Sequence, residues 1–194
     1  MTGITSIMAF SNPAMKGASL FYPHLMQKSG EWHRFFTSGF IHADWLHLVV
    51  NMYVLYIFGD ILELFLLPAY FNEKSRLVFL LLYLGGMLFS DLPSYAKQRN
   101  NPMFRSLGAS GAVSSIVFAC ILMNPWQGGI GFIFLPGISV PPVIFGALYL
   151  IYTAYMSHRQ MDNINHDAHF YGALFGLLLP GVLKPEIFTI FIDQ

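Results

Sequence analysis

The sequence predicts an all-α polytopic membrane protein, a bundle of helices that cross a lipid bilayer. Hydrophobic residues make up 55% of the 194 residues and charged residues only 10%, whereas soluble proteins have about 25% charged residues. Residues 106–158 contain no Asp, Glu, Lys or Arg, and at roughly 20 residues per span this stretch could cross a bilayer twice. The ten basic and ten acidic residues balance, so the basic surface of a nucleic-acid-binding protein is not expected. A single cysteine, Cys120, excludes an intrachain disulfide.

The membrane spans follow from the uncharged windows and their flanking residues. Five are predicted, at about Leu46–Leu67, Leu77–Leu92, Gly108–Met123, Pro142–Ser157 and Asp167–Leu183. Before them, the apolar run Ile4–Phe10 is too short to cross a bilayer and stops at Ser11-Asn12-Pro13. We interpret this run as a shortened first span and not as a signal peptide, which would need a basic segment and a longer apolar one.

The connections between the spans differ in character. The longest, residues 13–43, is aromatic and mixed in charge, whereas residues 125–141 are uncharged, rich in glycine and proline, and could dip into the membrane interface. Residues 31–34, Glu-Trp-His-Arg, are expected to anchor the chain at the interface, where Trp and Arg commonly set depth. We favour that structural role over a catalytic one.

Polar side chains inside a predicted span are functional candidates, because they are costly in lipid. His47 and Asn51 lie four residues apart near the start of one span, so they share a helix face. His42 lies just before the same helix and could fold over that face. Hydrogen bonding between buried polar groups of neighbouring helices is the structural alternative.

A serine between glycines, in the sequence Gly108-Ala-Ser110-Gly111, opens the next uncharged run. Glycines permit a tight turn and close approach of a neighbouring backbone. The free N–H groups of a helix N-terminus favour a developing anion. The alternative is a serine that caps its helix within a face of small residues.

His169 opens the last predicted span, where Gly172 and Gly176 form the GxxxG pattern of closely packed membrane helices. The serine helix carries a matching face of small residues, at Gly111, Ser115 and Ala119. Close packing of these two helices would bring His169 to Ser110.

These residues together are suited to nucleophilic catalysis. A serine hydroxyl needs a base to become a nucleophile, and His169 is the candidate base for Ser110. The tetrahedral intermediate then needs hydrogen-bond donors, for which the His47 ring, the Asn51 amide and the Ser110 backbone N–H are candidates. Asp167 is two residues from His169 and therefore on a different helix face, which favours a Ser–His dyad over a triad. Such chemistry needs no cofactor, but it needs water, so we expect a polar cavity that opens to one membrane face.

The motifs resemble those of rhomboid intramembrane serine proteases of the bacterial type. The similarity runs from about Glu31 to the end of the last span, and the motifs occur in the family's order. The resemblance implies a role for each residue: Ser110 as nucleophile, His169 as general base, His47 and Asn51 as oxyanion-stabilising side chains, His42 as a support of the same pocket, and Gly108 as the glycine that lets the serine loop bend.

The resemblance also implies an architecture and a setting. Residues 1–194 would form one domain, a rhomboid-like six-helix core with an incomplete first helix. Residues 13–43 would be a membrane-embedded loop between helices 1 and 2, and a short serine helix would leave a water-filled cavity above Ser110. The partners would be the lipid bilayer and single-pass membrane protein substrates, cut near small side chains where a transmembrane helix unwinds easily. The protein would be a multi-pass component of a bacterial inner or plasma membrane.

The sequence departs from the family pattern in three places. The first core helix is incomplete, and His33 separates the Trp and Arg of the embedded loop. Ser114 stands where some bacterial members have a tyrosine that stacks on the histidine, so His166 becomes a candidate for orienting the base. Charge also inverts the positive-inside pattern, because loops that the family places outside carry most of the Lys and Arg residues, namely Lys16, Lys28, Arg34, Lys97, Arg99, Arg105 and Arg159.

Three other functions compete with a protease. A metal-dependent hydrolase could use His42, His47, His166 and His169 as zinc ligands, but the HExxH motif is missing from the sequence. A catalytically silent rhomboid-like protein that binds transmembrane clients would lack the serine or the histidine, and both are present. A small-solute transporter would be expected to show inverted repeats, which the sequence does not show.

Overall fold

The computed structural model describes residues 1–132, 135–159 and 162–193, and most of them are helical. The N-terminal part consists of short helices, α1 (Thr2–Ser11), α2 (Pro13–Ser19), α3 (Pro23–Ser29) and α4 (Arg34–Thr37), followed by a 3-10 turn (Ser38–Phe40). With ten residues, α1 is about 15 Å long at 1.5 Å per residue, which is half of the roughly 30 Å hydrocarbon layer. This length agrees with the short first span predicted from the sequence.

A long helical hairpin follows. It comprises α5 (Trp45–Ile61), a π-helical turn (Leu62–Leu66), α6 (Leu67–Phe71), a 3-10 turn (Asn72–Lys74), α7 (Ser75–Leu80), a second π-helical turn (Leu81–Gly85) and α8 (Gly86–Gln98). The chain reverses near Asn72, whose φ of 49° lies in the left-handed region that Asn tolerates better than most residues. In this hairpin α6 packs against α7. Its two arms correspond to the predicted spans 46–67 and 77–92.

The remaining elements are α9 (Ser110–Met123), β1 (Ile130–Phe132), β2 (Leu135–Val140), α10 (Pro142–Arg159), α11 (His166–Leu183) and α12 (Glu186–Asp193). The helices α9, α10 and α11 match the last three predicted spans to within two residues at each end. β1 and β2 pair antiparallel with Ile130 opposite Val140, so the glycine- and proline-rich connection contains two short strands that the sequence reasoning did not predict.

Helix length and hydropathy indicate which helices are able to cross a membrane. In the described ranges, the continuous helical stretch Trp45–Gln98 is long and apolar enough to cross a membrane. A second candidate arises if α11 and α12, which meet at an angle of 113°, are counted as one broken span. α9 is apolar but has only 14 residues, about 21 Å of helix.

The core of the bundle is built around α9. Every residue from Gly111 to Met123 is buried, and the helix packs against α5, α8, α10 and α11. A helix that is apolar on all sides is expected at such a central position. The outward faces of the surrounding helices are apolar as well, with exposed side chains such as Tyr56, Phe65, Leu148, Ile151 and Val182. A large exposed apolar surface marks contact with a membrane or a partner.

The closest helix contact joins α9 to α11. A Cβ atom at Gly172 would overlap the carbonyl oxygen of Gly111, and one at Gly176 would overlap the carbonyl oxygen of Ser115. Glycine is therefore required at both positions of the GxxxG pattern. The two backbones meet as the small-residue faces predict, and this contact brings the N-terminal ends of the two helices together.

Candidate active site

The structure places the Ser110 hydroxyl beside the His169 imidazole. Ser110 begins α9, His169 lies in the first turn of α11, and the distance from Ser110 Oγ to His169 Nε2 is 2.8 Å. A serine and a histidine within this distance have the geometry of a nucleophile and its base. Both residues are half-buried at the start of their helices.

The loop before Ser110 is held by the segment between α1 and α5. Phe21 and Ser106 exchange two backbone hydrogen bonds of 3.0 Å, and the Gly108 N–H donates to the Ser38 carbonyl at 3.0 Å. Gly108 adopts a φ of 123°, and a Cβ there would lie 2.7 Å from the His47 ring. Both the backbone conformation and the close approach of His47 therefore require glycine at this position.

His42 fixes the last residue before the serine. Its Nε2 accepts the Ala109 N–H at 3.3 Å, so the ring proton of the neutral imidazole is assigned to Nδ1. Nδ1 donates to Ser6 Oγ at 2.9 Å, and the Ser6 hydroxyl donates to the Phe40 carbonyl at 3.1 Å. α1 is thus tied to the serine loop through His42. Ser6 was not a sequence candidate, because a serine in a short apolar run carries no recognisable motif.

This arrangement of His42 makes stability depend on pH. Burial, and next the neighbouring His47, lower the pKa of His42 to about 4, against a smaller opposing effect of Asp44. The unfolded chain binds a proton near its ordinary pKa of 6.5, so between about pH 6.5 and 4 it holds more protons than the folded chain. The contribution of His42 to the free energy of unfolding should therefore fall as pH falls through this window and stay constant above it.

Thermal unfolding of the detergent-solubilised protein tests this pH dependence. A His42→Gln variant has no titratable side chain at this position and is the reference. The difference between the wild-type unfolding midpoint and that of the variant should fall between pH 7.5 and 4.5. A difference between the two proteins that does not change with pH would contradict the assigned neutral state of His42.

His47 and Asn51 lie on one face of α5 next to the serine loop. His47 Nδ1 accepts the Ala43 N–H at 3.4 Å, which leaves the ring proton on Nε2. A Cβ at Gly108 would lie 2.9 Å from this Nε2 atom. Asn51 is buried and donates one amide N–H to the His47 carbonyl at 2.9 Å. An amide carries two N–H groups, and among the residues that the structure describes only one of them has a hydrogen-bond partner. The third donor predicted from the sequence for an oxyanion is the backbone N–H of Ser110, the first residue of α9, which has no partner within its own helix.

Asn165 ties the start of α11 to its neighbours. Its side-chain oxygen accepts the Ala168 N–H at 3.3 Å, which is the usual cap at a helix N-terminus, and also the Ser94 hydroxyl at 2.9 Å. Its amide donates to Ser106 Oγ at 3.3 Å. Asn165 thus connects the histidine helix, the serine loop and α8. Sequence reasoning missed it, because Asn before a helix is common and indicates only a cap.

The carboxylates near His169 in sequence hydrogen-bond to other residues. Asp167 accepts the Lys97 ammonium at 2.9 Å and the Ser157 hydroxyl at 2.6 Å. Asp162 is exposed and binds His166 Nε2 at 3.0 Å. No carboxylate hydrogen-bonds to His169 within the ranges that the structure describes, which agrees with the predicted dyad.

Two rings flank His169. His166 meets it edge-on, with ring centroids 6.0 Å apart and planes at 73°. Tyr149 of α10 lies nearly parallel to it, at 6.4 Å and 14°, and shares a hydrogen bond of 2.8 Å with Ser114. The sequence reasoning named His166 as the candidate for orienting the base and did not name Tyr149.

Arg34 has a different structural role from the one expected. Its side chain is 5% exposed and pairs with Glu31 at 2.6 Å, and it donates to the carbonyls of Gly17 and Leu20 at 3.0 and 2.8 Å. The prediction that this arginine anchors the chain at the lipid interface was wrong, because its charge is enclosed by the loop that it holds together. Trp32 remains 53% exposed.

The histidines do not converge on one point. The His42 and His47 rings are 4.9 Å apart, and His166 and His169 form the separate pair described above. Among the residues that the structure describes, no group of three or more His, Cys, Asp or Glu could hold a metal ion. The geometry therefore gives the metal-dependent alternative no support.

Known proteins are similar to this chain in sequence. A family model described as the Rhomboid domain matches residues 29–186. Rhomboid-like protein 11, chloroplastic, of Arabidopsis thaliana is 30% identical over 162 residues, covering 79% of this chain and 53% of that protein. Presenilin-associated rhomboid-like protein A, mitochondrial, of Danio rerio is 35% identical over 144 residues, covering 72% and 34%. The human presenilin-associated rhomboid-like protein, mitochondrial, is 32% identical over 145 residues, covering 72% and 35%.

The chain thus spans about a third to a half of the length of these curated relatives. The matched region contains every residue predicted for the site, from His42 to His169, and the helix order is that implied by the sequence resemblance. The chain belongs to the membrane-embedded rhomboid family.

Proposed function

We propose that this protein is an intramembrane serine endopeptidase that hydrolyses peptide bonds in the transmembrane segments of membrane proteins. The observation that carries the proposal is the 2.8 Å contact between Ser110 Oγ and His169 Nε2. It occurs in a family that includes intramembrane serine proteases, and within a bundle whose outward faces are apolar. A catalytically silent client-binding protein has no need of a hydroxyl held at this distance from an imidazole.

The first half of the reaction forms an acyl-enzyme. His169 Nε2 takes the Ser110 proton as Oγ attacks the substrate carbonyl carbon, which forms a C–O bond and moves an electron pair onto the carbonyl oxygen. The carbonyl then re-forms as the C–N bond breaks, and His169 gives its proton to the leaving amine. The amine-bearing fragment departs, and the other fragment remains esterified to Ser110.

The second half repeats these steps with water. His169 takes a proton from a water molecule, whose oxygen attacks the ester carbonyl, and then returns that proton to Ser110 Oγ as the ester bond breaks. The products are a carboxylic acid and the regenerated hydroxyl. Water must therefore reach His169. The predicted water-filled cavity above Ser110 is part of this proposal.

The oxyanion is proposed to be stabilised by the His47 ring, the free Asn51 amide N–H and the Ser110 backbone N–H. Replacing Asn51 with Ala should lower kcat by about a hundredfold to a thousandfold with little change in KM, since one donor to the developing charge is lost. Val50→Ala, at an exposed neighbouring position of α5, is the matched control. An unchanged kcat for Asn51→Ala would remove Asn51 from this role.

The substrate class and the location are further parts of the proposal. An apolar bundle with a serine at the end of a helix of about 21 Å suits a single-pass substrate that enters sideways from the lipid and unwinds near small side chains. We retain a bacterial inner or plasma membrane as the proposed location, although the relatives reported above are named for chloroplasts and mitochondria.

Reconstitution tests the proposal. The purified chain is placed in liposomes with a single-pass reporter whose transmembrane segment contains small residues, and the products are mapped by mass spectrometry. We expect one cut within the transmembrane segment and no cut in a soluble reporter of the same sequence context. Stable binding of the reporter without cleavage would favour the client-binding alternative and overturn the proposed activity.

A further inference from the structure

Tyr149, a half-buried residue of α10, lies beside the proposed base His169. Its ring lies at 14° to the plane of the His169 imidazole, with centroids 6.4 Å apart. This is the offset parallel arrangement that aromatic rings favour. Two further aromatic rings contact Tyr149, those of Phe118 and Phe145, with centroids 5.4 and 5.9 Å from it. The tyrosine ring therefore has little freedom to rotate.

The hydroxyl of Tyr149 is fixed by the serine helix. It shares a hydrogen bond of 2.8 Å with Ser114 Oγ, and Ser114 is 6% exposed. Ser114 follows Ser110 by four residues, so both project from the same face of α9. The helix that carries the nucleophile thus also holds the ring that covers the imidazole.

Apart from its hydrogen bond to Ser110, the His169 ring has no hydrogen-bond partner among the described residues that would fix its rotation. The neighbouring carboxylates bind Lys97, Ser157 and His166, and His166 touches the imidazole only edge-on. An imidazole can rotate about its last side-chain bond. Rotation would carry Nε2 away from Ser110, and a misplacement of about 1 Å can lower a rate by about a hundredfold.

We propose that Tyr149, fastened by Ser114, is the positioning residue that orients His169 toward Ser110. This inference rests on the proposed protease function. Three helices then cooperate in one proton transfer. α9 supplies the nucleophile and the Ser114 hydroxyl that hydrogen-bonds to Tyr149, α10 supplies the Tyr149 ring, and α11 supplies the base.

The test measures how fast a fluorophosphonate probe labels Ser110, together with kcat and KM for a transmembrane reporter. Tyr149→Leu should lower the labelling rate and kcat by about tenfold to a hundredfold at unchanged KM, because the imidazole loses its covering ring. Tyr149→Phe and Ser114→Ala should each lower them by about threefold to tenfold. The double variant Tyr149→Phe/Ser114→Ala should be no slower than either single variant, because both changes remove the same hydrogen bond.

Tyr155→Leu is the matched control, since Tyr155 lies on the same helix and is 53% exposed. It should label at the wild-type rate. Any of three results would overturn the positioning role. Tyr149→Leu could label at the wild-type rate, Tyr149→Leu could change KM alone, or the effects of Tyr149→Phe and Ser114→Ala could multiply in the double variant. If Tyr149→Leu does not fold, the two conservative variants and their combination decide the question. A folded wild-type protein that never labels at Ser110 would instead overturn the proposed function.

Discussion

Replacing Ser110 with Ala should abolish cleavage of a transmembrane reporter while the protein stays folded. The variant loses the atom proposed to attack the substrate carbonyl, and among the described residues the Ser110 side chain forms one hydrogen bond, to His169. His169→Ala should have the same effect, because no base then removes the serine proton. In serine proteases whose nucleophile and base act as a unit, removing either costs about a millionfold in kcat, so we expect a loss of about ten-thousandfold or more for each variant.

Matched controls separate chemistry from folding. Ser29→Ala and His158→Ala replace the same residue types at exposed positions and should cleave at the wild-type rate. Thermal unfolding in detergent should show that all four variants are folded. Near-normal cleavage by folded Ser110→Ala or His169→Ala protein would show that the dyad assignment is wrong.

A second large effect is expected at the contact between α9 and α11. Gly172→Val introduces a branched side chain where even a Cβ would overlap the Gly111 carbonyl oxygen. The two backbones must separate, which moves His169 away from Ser110. We expect a loss of about 1–3 kcal/mol in stability from overpacking and at least about a hundredfold loss of activity from the misplaced base. Gly172→Ala should show both effects in milder form.

Gly17→Ala controls for the general effect of a glycine replacement, because nothing lies within 4 Å of a Cβ at that position. It should leave the cleavage rate unchanged and, if anything, raise the unfolding midpoint slightly, because Ala is favoured over Gly inside a helix such as α2. If Gly172→Val instead cleaved at the wild-type rate, the separation between α9 and α11 would not control the Ser110–His169 distance, and the structural explanation of the dyad would fail.

The sequence was sufficient to predict the helices and the contact between Ser110 and His169 for physical reasons. Spans are readable because lipid excludes charge, and the uncharged windows match the helices. The Ser110–His169 contact was predictable because small residues repeat every four positions on both helices, and backbones approach closely only at such faces. The membership in the rhomboid family, and with it the all-α bundle, is confirmed.

Other features depend on contacts that local sequence does not encode. Arg34 looked like an interfacial anchor, because its type and neighbours are typical of one, but the loop carbonyls that enclose it come from residues 14 and 17 positions earlier. Ser6 and Tyr149 reach the site from elements distant in sequence. Neither belongs to a motif, and only their placement in space reveals their contacts.

The most direct test of the central claim is the site of reaction with a fluorophosphonate probe. The purified, folded protein is incubated with the probe, and the adduct is mapped by mass spectrometry, with His169→Ala and the control His158→Ala treated in parallel. The proposed mechanism predicts a single adduct on Ser110 in the wild-type and His158→Ala proteins, and labelling slowed by about a thousandfold or more in His169→Ala. Labelling at another residue, or equal labelling of Ser110 with and without His169, would contradict it.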